Sequence, residues 1–211
     1  MPFAEGLPLS GRRAQAARND TLILKAARAV FLADPGAPIT AVAQQAGVGI
    51  SALYTRYGSK EELLRRLCHD GLQRFFDETE AALAEPDADP WAAFTGYMNR
   101  LVDADTSSLT LALAGSFTPT EEMFALAERA NQLAHRFFER IRRVLRPDVE
   151  VHDLSLVFEV VAAVKLSDRQ RTQQLRRRCL ALILDGMRAG QEDALPGPAP
   201  TWPEINQRWE P

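Results

Sequence analysis

Residues 39–57 read Ile-Thr-Ala-Val-Ala-Gln-Gln-Ala-Gly-Val-Gly-Ile-Ser-Ala-Leu-Tyr-Thr-Arg-Tyr. Read as two short helices turning at Gly47, the stretch puts small residues Val42, Ala43 and Ala46 on the first helix, where a second can approach closely. Val48 and Leu53 then anchor the second helix, leaving Ser51, Ala52, Tyr54, Thr55 and Arg56 for its outer side. A helix fits the major groove of B-DNA, where short polar side chains reach base edges while the flanks hold phosphates. The chemistry on offer is hydrogen bonding and charge pairing. Bond-making chemistry has weaker candidates. His69, His135 and His152 lie on separate segments without metal-ligand spacing, and Cys68 and Cys179 are too isolated for a disulfide framework or a zinc site. With no nucleophile–base pair, phosphate loop or metal cluster, the expectation is a non-enzyme without metal or cofactor, a small helical enzyme being the remote alternative.

Charge agrees with a polyanion partner for one end of the chain. Residues 1–60 hold seven basic side chains (Arg12, Arg13, Arg18, Lys25, Arg28, Arg56 and Lys60) against Glu5, Asp20 and Asp34, a net of +4. The whole chain carries −3, so −7 falls on residues 61–211. Its 211 residues, 46% hydrophobic and 25% charged, are those of an ordinary globular protein of one large domain or two small ones. The apolar-rich run Leu109 to Phe117, broken by Thr110, Gly115 and Ser116, falls far short of the ~18 residues a membrane span needs. No signal peptide is evident at the start, and a reduced, cytoplasmic protein without membrane contact is expected.

Helices must position the motif, because two-residue alternation is absent and helix punctuation is abundant. One helix is expected from Asn19 or Asp20 to the Asp34-Pro35-Gly36 break, with Leu22, Ile23, Ala26, Ala27, Val30 and Phe31 on its apolar face. Thr40 reads as the N-cap of the next, ending at Gly47. Ser59-Lys60-Glu61-Glu62 reads as a capping box for a helix to about Ala84. Asp89 with Pro90 opens another. Thr118-Pro119-Thr120-Glu121 opens one that could reach Leu145. Two more are expected over about Asp153–Leu166 and Asp168–Ala189. The reading is all-α: a basic, flexible arm over 1–18, a three-helix DNA-binding domain over 19–65, a helical body over 66–195, and a mobile Pro-rich tail over 196–211 in which Trp202 and Trp209 are candidates for docking.

The spacing of Ile39-Thr40, Ala46-Gly47-Val48, Leu53-Tyr54, Tyr57 and Ser59-Lys60-Glu61-Glu62-Leu63 resembles the tetracycline-repressor (TetR) family of bacterial transcription regulators, over about residues 19–67. The resemblance implies that Thr40 caps its helix beside the DNA backbone and that Tyr54 and Lys60 hold phosphates. It also implies that Ser51, Ala52, Thr55 and Arg56 face the groove, Arg56 meeting a guanine or a phosphate. Arg12, Arg13 and Arg18 would follow the backbone or enter the minor groove, or belong to a solvated tail. Tyr54 has a second reading as a partly buried core residue. The family often has Ser where this chain has Gly49, which is tolerated as an N-cap but brings no side chain to a phosphate.

The body carries no family-specific residues, so its reading rests on pattern. Leu154, Phe158 and Val161, with Leu175, Cys179, Leu182 and Ile183, form apolar faces on the last two long helices. A helix apolar over most of its girth needs partners on two sides. The resemblance assigns these helices to a homodimer interface, the alternative being burial within the chain. The middle helices would enclose an inducer cavity in this family. Phe94, Tyr97, Met98, Leu101, Leu113, Phe117, Met123, Phe124 and Phe137 are available to line it or to serve as plain core, with Asn99, Arg100 or His135 to orient an apolar or aromatic ligand. The expected function is a dimeric repressor released from operator DNA by such a ligand, or a dimeric regulator that answers to a protein or to nothing.

Overall fold

The computed structural model describes residues 11–86, 88–190 and 193–209. Among them every regular element is helical, apart from a lone bridge between Leu145 and Arg188. The chain divides into a unit up to Leu67 and a second from Cys68 onward.

The first unit contains α1 (Gly11–Ala33), α2 (Ile39–Ala46), α3 (Ile50–Tyr57) and the start of α4 (Lys60–Ala84). Its core is Ile23, Ala27 and Phe31 of α1 against Val42, Ala43, Leu53, Leu63 and Leu64, all nearly solvent-free. Leu22, counted on the apolar face from sequence, is instead exposed. The first helix also starts earlier than its capping pattern suggested, so residues 11–18 are helical; residues 1–10 lie outside the described residues. The N-cap of α2 is Pro38, and Thr40 sits inside the first turn with an exposed side chain, which corrects its assignment as the cap. A proline carbonyl in extended geometry starts this helix, accepting from Ala41 N at 3.0 Å. Gly47 takes φ +67°, and Val48 N donates back to Ala43 O at 3.1 Å. This left-handed turn is what a side chain at residue 47 would strain. Ser59 caps α4 through Glu62 N at 3.1 Å, while the Glu62 carboxylate pairs with Arg65.

The second unit continues α4 and adds α5 (Pro90–Asp103), α6 (Thr106–Leu113), α7 (Glu121–Ile141), α8 (Asp153–Ala163), α9 (Arg169–Met187) and α10 (Trp202–Asn206). Asp89 caps α5 from the position expected, accepting from Ala92 N at 3.0 Å. For α7 the cap is Thr120, two residues later than the Thr118 reading, so Pro119 precedes the helix. The break between α5 and α6 is made by Asp105 at φ +53°, a conformation Asp tolerates better than most residues. Its carboxylate accepts from Arg176 Nη1 at 2.8 Å, fixing the corner to α9. The core joins Phe94, Met98 and Leu101 of α5, Phe137, Phe138 and Ile141 of α7, Val157 and Val161 of α8, and Leu180 and Leu184 of α9. In the segment expected as a Pro-rich tail with Trp202 and Trp209 as docking candidates, α10 and the 3-10 turn Gln207–Trp209 rest against the body through those two rings.

Candidate nucleic-acid interface and ligand cavity

The outer face of α3 is built by its inner face. Leu53 and Tyr57 are buried against the core, which turns Ser51, Ala52, Tyr54, Thr55 and Arg56 outward, all exposed. Tyr54 is half exposed, so it is not a core tyrosine. Thr55 Oγ1 donates to Ser51 O at 2.8 Å, leaving its oxygen lone pairs for an incoming donor. Gly49 caps α3 in extended geometry with nothing within 4 Å of where a Cβ would stand. Thr40 and Arg18 are exposed, Arg18 donating to Gln15 at 2.8 Å; the side chains of Arg12 and Arg13 lie outside the described residues.

Two cations of this unit are already engaged. Arg56 Nε meets Asp20 of α1 at 2.7 Å, and Tyr57 donates its hydroxyl to the same carboxylate oxygen at 2.6 Å. Partial burial would raise the Asp20 pKa, but the bonds from Arg56 and Tyr57 outweigh it and hold the carboxyl below its usual range. Burial, with the Asp20 bond, pushes the Tyr57 phenol upward. Lys60 places its ammonium on the carbonyls of Pro35, Gly36 and Ala37 at 3.3, 3.3 and 2.8 Å, and 5.2 Å from the centre of the Phe31 ring. These bonds close the α1–α2 turn, a structural task that residue type and spacing do not reveal.

In the second unit a cavity of about 260 Å³ opens between α4, α5, α6, α7, α8 and the C-terminal segment. Of the residues expected there, Tyr97, Met123, Phe124 and Phe137 line it. Phe94, Met98, Leu101 and Leu113 are solid core, and Phe117 packs on Trp209 at the edge of the lining. Phe75, Leu154, Phe158, Trp202 and Trp209 complete the apolar wall. The space exists because α7 presents Ala127, Ala130 and Ala134, and α4 presents Gly71, where larger side chains would fill it. The polar lining groups are Asn131, His152, Ser155, Glu159 and Asn206 with Thr110 and Cys68. Arg100, by contrast, pairs with Glu78 and Glu85, Asn99 bonds back to Thr95, and His135 stands behind His152. The Tyr97 and Thr79 hydroxyls share a hydrogen bond of 2.9 Å, so the Tyr97 phenol is already partnered within the body. Burial pushes the Cys68 thiol up to about 12, so it stays protonated and unreactive near neutrality. Burial, and secondarily His135, lowers the His152 pKa, leaving a neutral ring beside the cavity.

The last helices divide the expected interface residues between two surroundings. Leu154 and Val161 are buried inside the chain, and Phe158, Cys179 and Ile183 pack partly against the same core. Leu175 is half-buried. Leu182 of α9 is 68% exposed, and Leu156 and Val160 of α8 are exposed as well. Among the described residues no group of His, Cys, Asp and Glu could hold a metal ion, and no helix is long and apolar enough to cross a membrane.

A helix-turn-helix unit followed by a helical body with an internal cavity defines a DNA-binding transcription regulator. Residues 23–67 match the family model for bacterial regulatory proteins of the tetR family. A TetR transcription regulatory protein from Mycobacterium vanbaalenii is 26% identical, superposes with a TM-score of 0.56, and aligns over 84% of this chain and 99% of its own. The TetR regulator SCO0520 from Streptomyces coelicolor shares the fold at 24% identity and TM-score 0.51, over 81% and 98%. So does LfrR from Mycobacterium smegmatis, solved in complex with proflavine, at 21% and 0.55, over 78% and 95%. No curated protein matches the sequence significantly.

Proposed function

We propose that this regulator is a homodimeric repressor that leaves its operator when a flat, neutral or cationic aromatic molecule enters the body. The observation that carries the ligand reading is the cavity itself: an aromatic-walled space within one unit of a chain whose other unit turns a short polar helix face outward. Among the described lining residues Glu159 is the one carboxylate and none is Lys or Arg. An anion buried there would meet no counter-charge, and burying an unpaired charge is costly. A neutral ring system avoids that cost, and a delocalised cation would have the Glu159 carboxylate among the lining residues to offset part of it. The LfrR structure with proflavine is an instance of this fold holding a flat aromatic cation.

Dimerisation is supported by the exposure of the large apolar side chains Leu156 and Val160 on α8 and Leu182 on α9. Two half-sites supply affinity and register that one eight-residue recognition helix cannot. Ser51, Ala52, Thr55 and Arg56 are assigned to the groove and Tyr54 to a phosphate. Lys60 contributes by holding the α1–α2 turn, its ammonium being seated on backbone carbonyls.

Selection of bound sequences from random duplex DNA tests the regulator, with a palindrome as the expected product. If each protomer neutralises about three to five phosphates, affinity falls roughly 10³–10⁵-fold between 50 and 200 mM salt. Absence of any preference over random duplex at moderate salt would sink the assignment. For the inducer role, calorimetry with and without operator must show the ligand weakened by the factor by which it weakens DNA binding. Equal affinities would leave a regulator that does not answer to that ligand.

A further inference from the structure

The C-terminal segment reaches the cavity from a fixed root. Arg146, nearly buried, pairs with Asp148 at 2.8 Å and donates to the Asp193 carbonyl, while Leu195 N donates to Asp148 Oδ2 at 2.7 Å. The run Pro196-Gly197-Pro198-Ala199-Pro200 then crosses without regular structure, as its prolines require. Thr201 and Glu204 restart the chain as α10: the Thr201 amide and hydroxyl donate to Glu204 Oε2 at 2.7 and 2.8 Å, and Pro203 sits in the first turn. This short helix and the turn after it direct Trp202, Ile205, Asn206 and Trp209 at the cavity.

Each tryptophan meets a ring of the body. Trp202 stacks on His152 with centroids 5.9 Å apart and planes 21° apart. His152 in turn bonds the Pro200 backbone and places Nε2 3.0 Å from Asn131 Oδ1, on the cavity-lining face of α7. Trp209 packs on Phe117 at 5.7 Å. The root is thus held by charge-assisted bonds and the ring-bearing end by aromatic contact. Aromatic contacts tolerate substitution of one ring partner by another, so a flat ligand can share the tryptophan faces.

We infer that the segment Trp202–Trp209, held in place by its root at residues 193–201, is a wall of the ligand site, and that Trp202 and Trp209 contact an aromatic ligand directly. The inference rests on the ligand reading proposed above. It assigns specificity to a segment outside the long helices of the body, and it makes ligand affinity depend on how that segment is seated.

The test uses the full-length chain carrying Trp91→Phe, so that fluorescence reports Trp202 and Trp209 alone, and proflavine as the probe. Without probe, acrylamide should quench the two tryptophans several-fold less than a free tryptophan amide. Bound proflavine should quench their emission. Trp209→Ala should weaken proflavine by about tenfold, the loss of one good ring contact, while Trp209→Phe restores much of it. Tryptophans as accessible as the free amide overturn the inference whatever proflavine does. Unchanged proflavine affinity in both Trp202→Ala and Trp209→Ala overturns it as well. Protected tryptophans with no proflavine bound overturn the ligand reading itself, and the ligand-contact half of this inference with it.

Discussion

The recognition face and the cavity use the chain in opposite ways. Every outward residue of α3 lies within six positions of the others, from Ser51 to Arg56, and two buried neighbours, Leu53 and Tyr57, set their direction. The cavity draws its walls from Cys68 at one end of the second unit to Trp209 at the other, across five long or middle helices and a terminal segment. A surface needs only that its helix be anchored. A cavity needs that several helices agree to leave volume unfilled, so small residues such as Gly71, Ala127 and Ala134 matter as much as the aromatic ones around them.

The strongest way to break this comparison is to remove the partner that both functions would share. Leu182→Asp places a carboxylate at an exposed apolar position of α9. Sedimentation should find a monomer or aggregate, with affinity for the full palindrome falling to that of a single half-site, although α3 is untouched. A wild-type monomer at micromolar concentration would contradict the dimer.

Next in size is Leu53→Ala. Leu53 is wholly buried under the recognition helix, and truncating such a leucine costs about 3 kcal/mol. Thermal unfolding followed by circular dichroism should show the loss, and specific DNA binding should fall with it. An unchanged melt would mean that α3 is anchored elsewhere.

Asp20→Asn sharpens the comparison from within the first unit, since it leaves α3 whole but removes the carboxylate that holds Arg56 and Tyr57. The pair is half exposed at Arg56, so the stability loss should be about 1 kcal/mol or less. The sign with pH follows from the lowered Asp20 pKa. The stabilisation is fully present above the unfolded value of about 3.9 and disappears as pH falls through the lower folded value. Denaturant titrations of wild type and variant should therefore converge in acid and separate near neutrality. A gap that persisted in acid would show that charge is not its source.

Gly49→Ser is the smallest effect. The Cβ meets nothing within 4 Å and φ is −66°, so the serine fits and supplies a side-chain cap worth a few tenths of a kcal/mol. It also brings a hydroxyl to the start of α3, where a phosphate could accept from it. Operator affinity should rise modestly for all sequences alike; a change in sequence preference would place residue 49 in the groove rather than at a phosphate.

Much of this molecule follows from local chemistry. The helical class, the Asp89 and Ser59 caps, the Gly47 turn and the outward set on α3 all depend on residues a few positions apart, whose hydrogen bonds and periodicity close within one or two turns. Sequence by itself determined these. What it left out was supplied by distant partners. Lys60 has the type and place of a phosphate ligand, but the carbonyls of residues 35–37 take its donors. Arg56 acquires a carboxylate 36 positions away. Phe94, Met98 and Leu101 share their spacing with Tyr97, yet only Tyr97 faces unfilled space, and a helical period cannot say which side of a buried stripe its neighbours leave empty. The Pro-rich end has no amphipathic pattern to reveal where it docks; the rings of His152 and Phe117 decide that, and they meet Trp202 and Trp209 only once the body has folded. Local bonding specified the elements and one functional face, while excluded volume and long-range partners, which exist only in three dimensions, specified the cavity and what closes it.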